Sequence, residues 1–138
     1  MNNRLLAQSY LIKAQKRLKI LAVLLAEEDW SDVLREAQEI VELALKGMLR
    51  QVGIEPPKWH DVGSLILEYR GRFPDAVQQQ AGHLAEISAY LRKEREISFY
   101  GEADVVPTEQ YSREDALAAI ADAQLVVQLA GQVIEPGQ

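Results

Sequence analysis

Residues 30–53 read WSDVLREAQEIVELALKGMLRQVG. Trp30, Val33, Leu34, Ala37, Ile40, Val41, Ala44, Leu45, Met48, Leu49 and Val52 recur with a period of about 3.6 residues, so they share one wide face of an α-helix and predict a core-facing element. Glu36, Glu39, Lys46 and Arg50 lie largely off that face. Asp29 or Ser31 suits the N-cap. Gly53 suits the residue just past the helix end, and Pro56-Pro57 forbids continuation.

Upstream, a helix is predicted from about Asn3 to Ala26. Leu11, Ala14, Leu18, Leu21 and Leu25 make its apolar stripe, and Glu27, Glu28 and Asp29 form a polar turn. Downstream, a stiff loop carries Trp59 and His60, and Asp61 caps a short helix with Val62, Leu65, Ile66 and Tyr69 inward. Gly71 and Pro74 punctuate the next turn. A fourth helix runs from near Pro74 to about Tyr100, and residues 102–111 form an acidic loop. Ser112 with Asp115 forms an approximate capping box for a last helix, and Glu114 suits its positive end. Ala116, Ala119, Ile120, Ala123, Val127, Ala130 and Ile134 form its inner stripe. Short connections between long amphipathic helices predict an all-α, antiparallel up-and-down bundle of five helices, one of them short. Residues 1–138 read as one domain, with the second and fifth helices central.

Composition narrows the function classes. The 138 residues are 48% hydrophobic and 26% charged, ordinary for a globular domain, and the formal net charge is −6. That acidity argues against a broad nucleic-acid footprint. There is no cysteine and there are two histidines, which excludes disulfides, thiolate metal sites and a cysteine nucleophile. No cofactor is expected. No bilayer-spanning apolar run and no signal-peptide pattern is evident, so the expectation is a cytoplasmic protein with no membrane association.

Candidate chemistry is sparse. There is no phosphate-binding glycine loop and no nucleophile elbow. His60 suits packing beside Trp59, and His83 suits a helix surface or a helix-packing position. Glu36 and Glu39 have the spacing of a di-iron helix, but neither histidine has a glutamate three residues before it, so a di-metal site is rejected. Two basic clusters stand out: Lys13, Lys16, Arg17 and Lys19, and then Arg92, Lys93 and Arg95. A solvated helix face accounts for each most simply. Arg95 differs, because the row Val77, Ala81, Leu84, Ser88, Leu91, Arg95, Ser98 places it among apolar residues. A guanidinium there needs a partner. It is either a snorkelling side chain or internal salt bridge, or an anion-recognising arginine at a groove or dimer interface, with Ser98, Tyr100 and Glu102 close by.

Two stretches carry a family resemblance. One is Ala37-Gln38-Glu39-Ile40-Val41-Glu42-Leu43-Ala44-Leu45-Lys46-Gly47-Met48-Leu49, followed by a proline loop and His60-Asp61-Val62. The other is Leu91-Arg92-Lys93-Glu94-Arg95-Glu96-Ile97-Ser98-Phe99-Tyr100-Gly101, followed by an acidic loop and an alanine-rich last helix. In their order and spacing the chain resembles the HEPN family (higher eukaryote and prokaryote nucleotide-binding). The resemblance implies a helical bundle, usually dimeric. Many bacterial and archaeal members act with a minimal nucleotidyltransferase as a toxin–antitoxin pair.

The family's ribonuclease branch has an arginine, four to six residues, then a histidine. Counting from Arg95, those places hold Tyr100, Gly101 and Glu102; from Arg92 they hold Ile97, Ser98 and Phe99. RNA cleavage through the 2′-hydroxyl needs a group that exchanges protons near neutral pH, and a tyrosine ordinarily titrates near pH 10. The resemblance therefore implies a non-catalytic HEPN subunit, not an enzyme. It would form a homodimer and bind nucleotide, a minimal nucleotidyltransferase, or both, through Arg95, Tyr100, Arg92, Ser98 and Glu102. Tyr100 is a distant analogue of a tyrosine that accepts transferred nucleotides in some members. The alternatives are an atypical ribonuclease toxin acting on RNA and a plain helical scaffold with no ligand.

Overall fold

The computed structural model describes residues 2–56, 58, 61–100 and 110–134, with the side chains of residues 97–100 outside that description. The described residues contain five α-helices: α1 (Asn3–Ala26), α2 (Trp30–Gln51), α3 (Val62–Glu68), α4 (Asp75–Tyr100) and α5 (Arg113–Val133), with a 3₁₀ turn at Arg70–Arg72 before α4. They build an all-α bundle around α2, and no strand occurs among the described residues.

Helix α2 is central because its apolar face is the widest. Val33, Leu34, Ala37, Ile40, Val41, Ala44, Leu45, Met48 and Leu49 are all buried. It packs most extensively on α1, then on α5 and α4, while α3 sits mainly on α4. The helix ends follow from local chemistry. Past α2, Gly53 adopts φ +84°. Its N–H donates to the Arg50 carbonyl at 3.0 Å, and that of Ile54 donates to the Leu49 carbonyl at 2.9 Å. This Schellman pair satisfies carbonyls that the helix leaves open. At the end of α1 the same pair runs from Glu28 to Leu25 and from Asp29 to Leu24, both 3.0 Å. There Glu28 takes the left-handed position, φ 57°. The α1–α2 hairpin thus turns in three polar residues, as the sequence predicts.

Two caps are as expected. The Asp61 side chain accepts from the Gly63 N–H at 3.0 Å. At α5 the capping box is complete: Asp115 N–H donates to Ser112 Oγ at 3.2 Å, and Ser112 N–H donates to Asp115 Oδ2 at 2.9 Å. At α2 the N-cap residue is Asp29, and its side chain makes no cap hydrogen bond. Close helix approach also has a local cause. A Cβ built on Gly63 would lie 2.7 Å from the Ser88 Cβ and 3.0 Å from the Ala85 Cα, so the glycine lets α3 press onto α4.

The small-residue stripe of α5 is used inside the protomer. Ala116, Ala119, Ala123 and Ala130 are buried, and α5 packs chiefly on α2. By length and composition alone α5 is apolar enough to cross a bilayer, which corrects the expectation that no such run exists. In this fold its apolar side serves the core.

Candidate functional site

Three helices bring their polar residues to one place on the flank of α2. From α1, Arg17 Nε donates to Glu36 Oε1 at 2.7 Å and its Nη2 to Glu36 Oε2 at 3.2 Å. The same Nη2 also donates to Glu39 Oε2. From α4, Arg95 Nη1 donates to Gln38 Oε1 at 3.1 Å, and Nη2 donates to Glu39 Oε1 at 3.2 Å. Glu39 therefore receives one arginine on each carboxylate oxygen and ties α1 to α4 through α2. The network continues along α2. Gln38, only 5% exposed, donates from Nε2 to Glu42 Oε2 at 2.7 Å, and Lys46 Nζ lies 3.2 Å from Glu42 Oε1.

Glu42 titrates below the usual carboxylate range. Burial pushes its carboxyl up, but the Gln38 amide, the Lys46 ammonium and the charge of Arg92 together outweigh it. The hydrogen bond to Glu36 holds the Arg17 guanidinium more firmly protonated, against the opposing effect of burial. At the start of α2 the Asp32 carboxyl is pushed up by its hydrogen bond to Asp29, by burial and by the Asp29 charge, with Arg35 opposing.

Two clefts open beside this network. One, of about 250 Å³, is lined by Arg17, Glu39, Glu42, Leu43, Lys46 and Arg95. The other, of about 370 Å³, is lined by Arg17, Ile20, Leu24, Asp32, Arg35, Glu36 and Glu39. Arg17 and Glu39 belong to both. Among the described residues that line the first cleft, the three cations Arg17, Lys46 and Arg95 stand with the two carboxylates Glu39 and Glu42. One net positive charge remains.

The sequence-predicted site is placed in part. Arg95 is in the cleft, and Arg92 acts on it through Glu42. Glu102 and the side chains of Ser98 and Tyr100 lie outside the described residues, as do Trp59 and His60. His83 stands apart, exposed on α4, with Nδ1 3.3 Å from Gln80 Oε1. Among the described residues that line the cleft, none is a histidine. Glu36 and Glu39, spaced like metal ligands, take arginines instead. Among the described residues no group of three His, Asp or Glu converges as a metal site would.

Sequence reasoning missed Arg17, Gln38, Glu42 and Lys46 as members of the site. A signal for Arg17 was present: it stands three residues after Ala14 and four before Leu21, both buried, so it shares their row. For Gln38 it was its place beside Ala37 in a helix whose neighbours are core.

A helical bundle with an arginine of α4 locked against α2 is thus the frame of this protein. The model of the HEPN domain family matches residues 7–133, and the chain belongs to that family. The matched span runs from the first buried residue of α1 to the last residue of α5. No curated protein and no solved structure matches the chain.

Proposed function

We propose that the chain is a non-catalytic HEPN subunit. It forms a homodimer and uses the Arg95 cleft to hold a phosphate-bearing ligand, either a free nucleotide or one presented by a minimal nucleotidyltransferase partner, as in a toxin–antitoxin pair. The observation that carries this reading is the state of Arg95. Its guanidinium is tied to Gln38 and Glu39, while about 30% of the side chain remains exposed at the cleft. An arginine held in place by its own protein loses little freedom when it binds a planar or tetrahedral anion. Lys46 and Arg17 stand beside it, and the one net positive charge suits a single anionic group.

A dimer would use a surface other than the alanine stripe of α5, which is spent on α2. The exposed side of α5 supplies one. Past its first turn, where Arg113 and Glu114 are exposed, the exposed residues of α5 are Leu117, Ala118, Ala121, Gln124, Gln128, Gly131 and Gln132, and none of these seven is charged. Depletion of charge is what marks the centre of a protein interface.

An RNA cleavage assay and an ATP titration, each on wild type and Arg95→Ala, test the proposal. The expected results are no cleavage above background and ATP binding weakened at least tenfold in the variant. Cleavage by wild type that disappears in Arg95→Ala would replace this reading with the atypical ribonuclease. Absence of any binding to ATP or to the product of a neighbouring nucleotidyltransferase gene would leave a plain scaffold. For the dimer, light scattering at micromolar concentration should give twice the 15.5 kDa chain mass, falling to one chain in Gln124→Glu/Gln128→Glu.

A further inference from the structure

Helix α1 is apolar on two sides. Inward, Ala7, Leu11, Ala14 and Leu21 are buried in the core. Outward, Leu5, Ile12, Ile20 and Val23 are 57%, 48%, 43% and 62% exposed. At about 100° per residue, these four fall within an arc of roughly 80° on the side opposite the core stripe. A solvated helix face has no need of four large aliphatic side chains in line.

The charges that α1 itself carries are all of one sign. Helix α1 carries Arg4, Lys13, Lys16, Arg17 and Lys19 and no acidic residue. The whole chain has a net charge of −6, so the rest of the protein carries −11. Arg17 is spent inward on Glu36 and Glu39. Lys13, Lys16 and Lys19 are exposed and form no ion pair with described residues. Along the outer face, Leu5, Ser9, Ile12, Lys16, Lys19 and Val23 alternate at four and three residues, the spacing of a coiled-coil seam. Two of its six places are lysines.

That pattern selects its occupant. A parallel second α1 would set lysine against lysine along the seam, and an antiparallel one would set Lys16 against Ile12 and Lys19 against Ser9, leaving each ammonium without an acidic partner, so self-pairing through this face is disfavoured. Nucleic acid offers nothing to four exposed aliphatic side chains. A membrane surface would need a broad apolar face with aromatic anchors, whereas this arc is narrow and has none. We propose that the outer face of α1 docks an amphipathic helix of another protein, with leucine or isoleucine along its seam and acidic residues opposite Lys16 and Lys19. The proposal is independent of the Arg95 cleft, because it uses none of the residues that line it.

The test uses a fluorescently labelled 24-residue helical peptide with leucine at the seam and glutamate at the two facing positions. A second peptide with lysine at those positions is the charge-reversed probe. The protein is the full chain, as wild type, Lys16→Glu/Lys19→Glu and Ile12→Asn/Val23→Asn, all at exposed positions, with far-UV circular dichroism confirming the fold. Wild type should bind the glutamate peptide and not the lysine peptide. Ile12→Asn/Val23→Asn should weaken binding at least tenfold, and Lys16→Glu/Lys19→Glu should exchange the preference. The proposal is overturned by no binding of the glutamate peptide to wild type, or by binding that neither variant changes. Two other outcomes overturn it as well. Binding to phosphatidylserine-containing vesicles in place of the peptide would make the face a membrane surface. Loss of wild-type self-association in Ile12→Asn/Val23→Asn would assign it to a second copy.

Discussion

Replacing Glu39 with glutamine should push stability and ligand affinity in opposite directions. In the folded protein Glu39 accepts Arg17 on one oxygen and Arg95 on the other, and the side chains of the three residues are 25–33% exposed. That exposure sets the scale. Fully exposed pairs contribute about 0.2–1 kcal/mol, and removing one partner of a fully buried pair costs about 3–5 kcal/mol. Two partly screened pairs, with glutamine retaining one acceptor oxygen, place Glu39→Gln at about 1–2 kcal/mol of lost stability. The loss should shrink in 0.5 M salt, where screening has already weakened both pairs. Meanwhile the cleft's net charge rises from one positive to two. Removing one negative charge a few ångströms from a bound phosphate contributes roughly 1 kcal/mol in a water-like dielectric, about a fivefold gain in affinity. Urea denaturation at low and high salt measures the first effect, and an ATP titration by calorimetry the second. A stability change within about 0.3 kcal/mol at low salt would refute the cross-tie. A destabilised variant with unchanged ATP affinity would remove the phosphate from this cleft.

Three further substitutions probe the frame. Leu45 is fully buried on α2, so Leu45→Ala should cost about 2–5 kcal/mol in chemical denaturation; a shift below about 0.5 kcal/mol would deny it a core place. Gly63→Ala should cost about 1–3 kcal/mol, because the added methyl meets Ser88 and the Ala85 backbone, and the double variant Gly63→Ala/Ser88→Gly should recover part of that loss. Burial raises the Asp122 carboxyl, with His83 opposing. Its folded form binds a proton before the unfolded chain does, so this group's contribution to stability falls as pH rises through its window. Asp122→Asn should therefore be more stable than wild type at pH 7, with the gain vanishing below the unfolded pKa of about 3.9; thermal melts from pH 3 to 7 measure it.

Much of the frame could be read from the residues alone, because local chemistry decides it. Ser112 with Asp115, Asp61, Gly53 and the α2 stripe each act within a few residues, and each does in the structure what its type favours. The cleft was harder, because it is assembled over distance. Arg17 reaches Glu36 across 19 residues, and Arg95 reaches Glu39 across 56. Nothing local distinguishes a carboxylate pair spaced for a metal from one that two arginines will claim. Arg17 was further obscured because α1 is apolar on both sides, which leaves the inward face undecided until α2 packs on it. The alanine stripe of α5 posed a similar choice. Small residues announce that a helix comes close, and they do not say whether that helix belongs to the same chain.

The Arg–Glu network also explains how this bundle holds one arrangement. Besides this network and the exposed contacts of Arg50 with Asn3 and Tyr10, α2 meets α1 and α4 through mainly aliphatic faces, and such faces tolerate sliding by a turn. A one-turn slip of α1 would carry Arg17 away from both Glu36 and Glu39. A slip of α4 would carry Arg95 away from Gln38, which would then be a buried amide with one acceptor unfilled. Each misregister therefore leaves partly buried charge or a buried polar group unsatisfied, which costs more than the correct pairing gains. That asymmetry is the physical case for the network as a device of register more than of stability. It also keeps the guanidinium of Arg95 at a set depth in the cleft. The feature that aligns the helices is the one that presents the arginine.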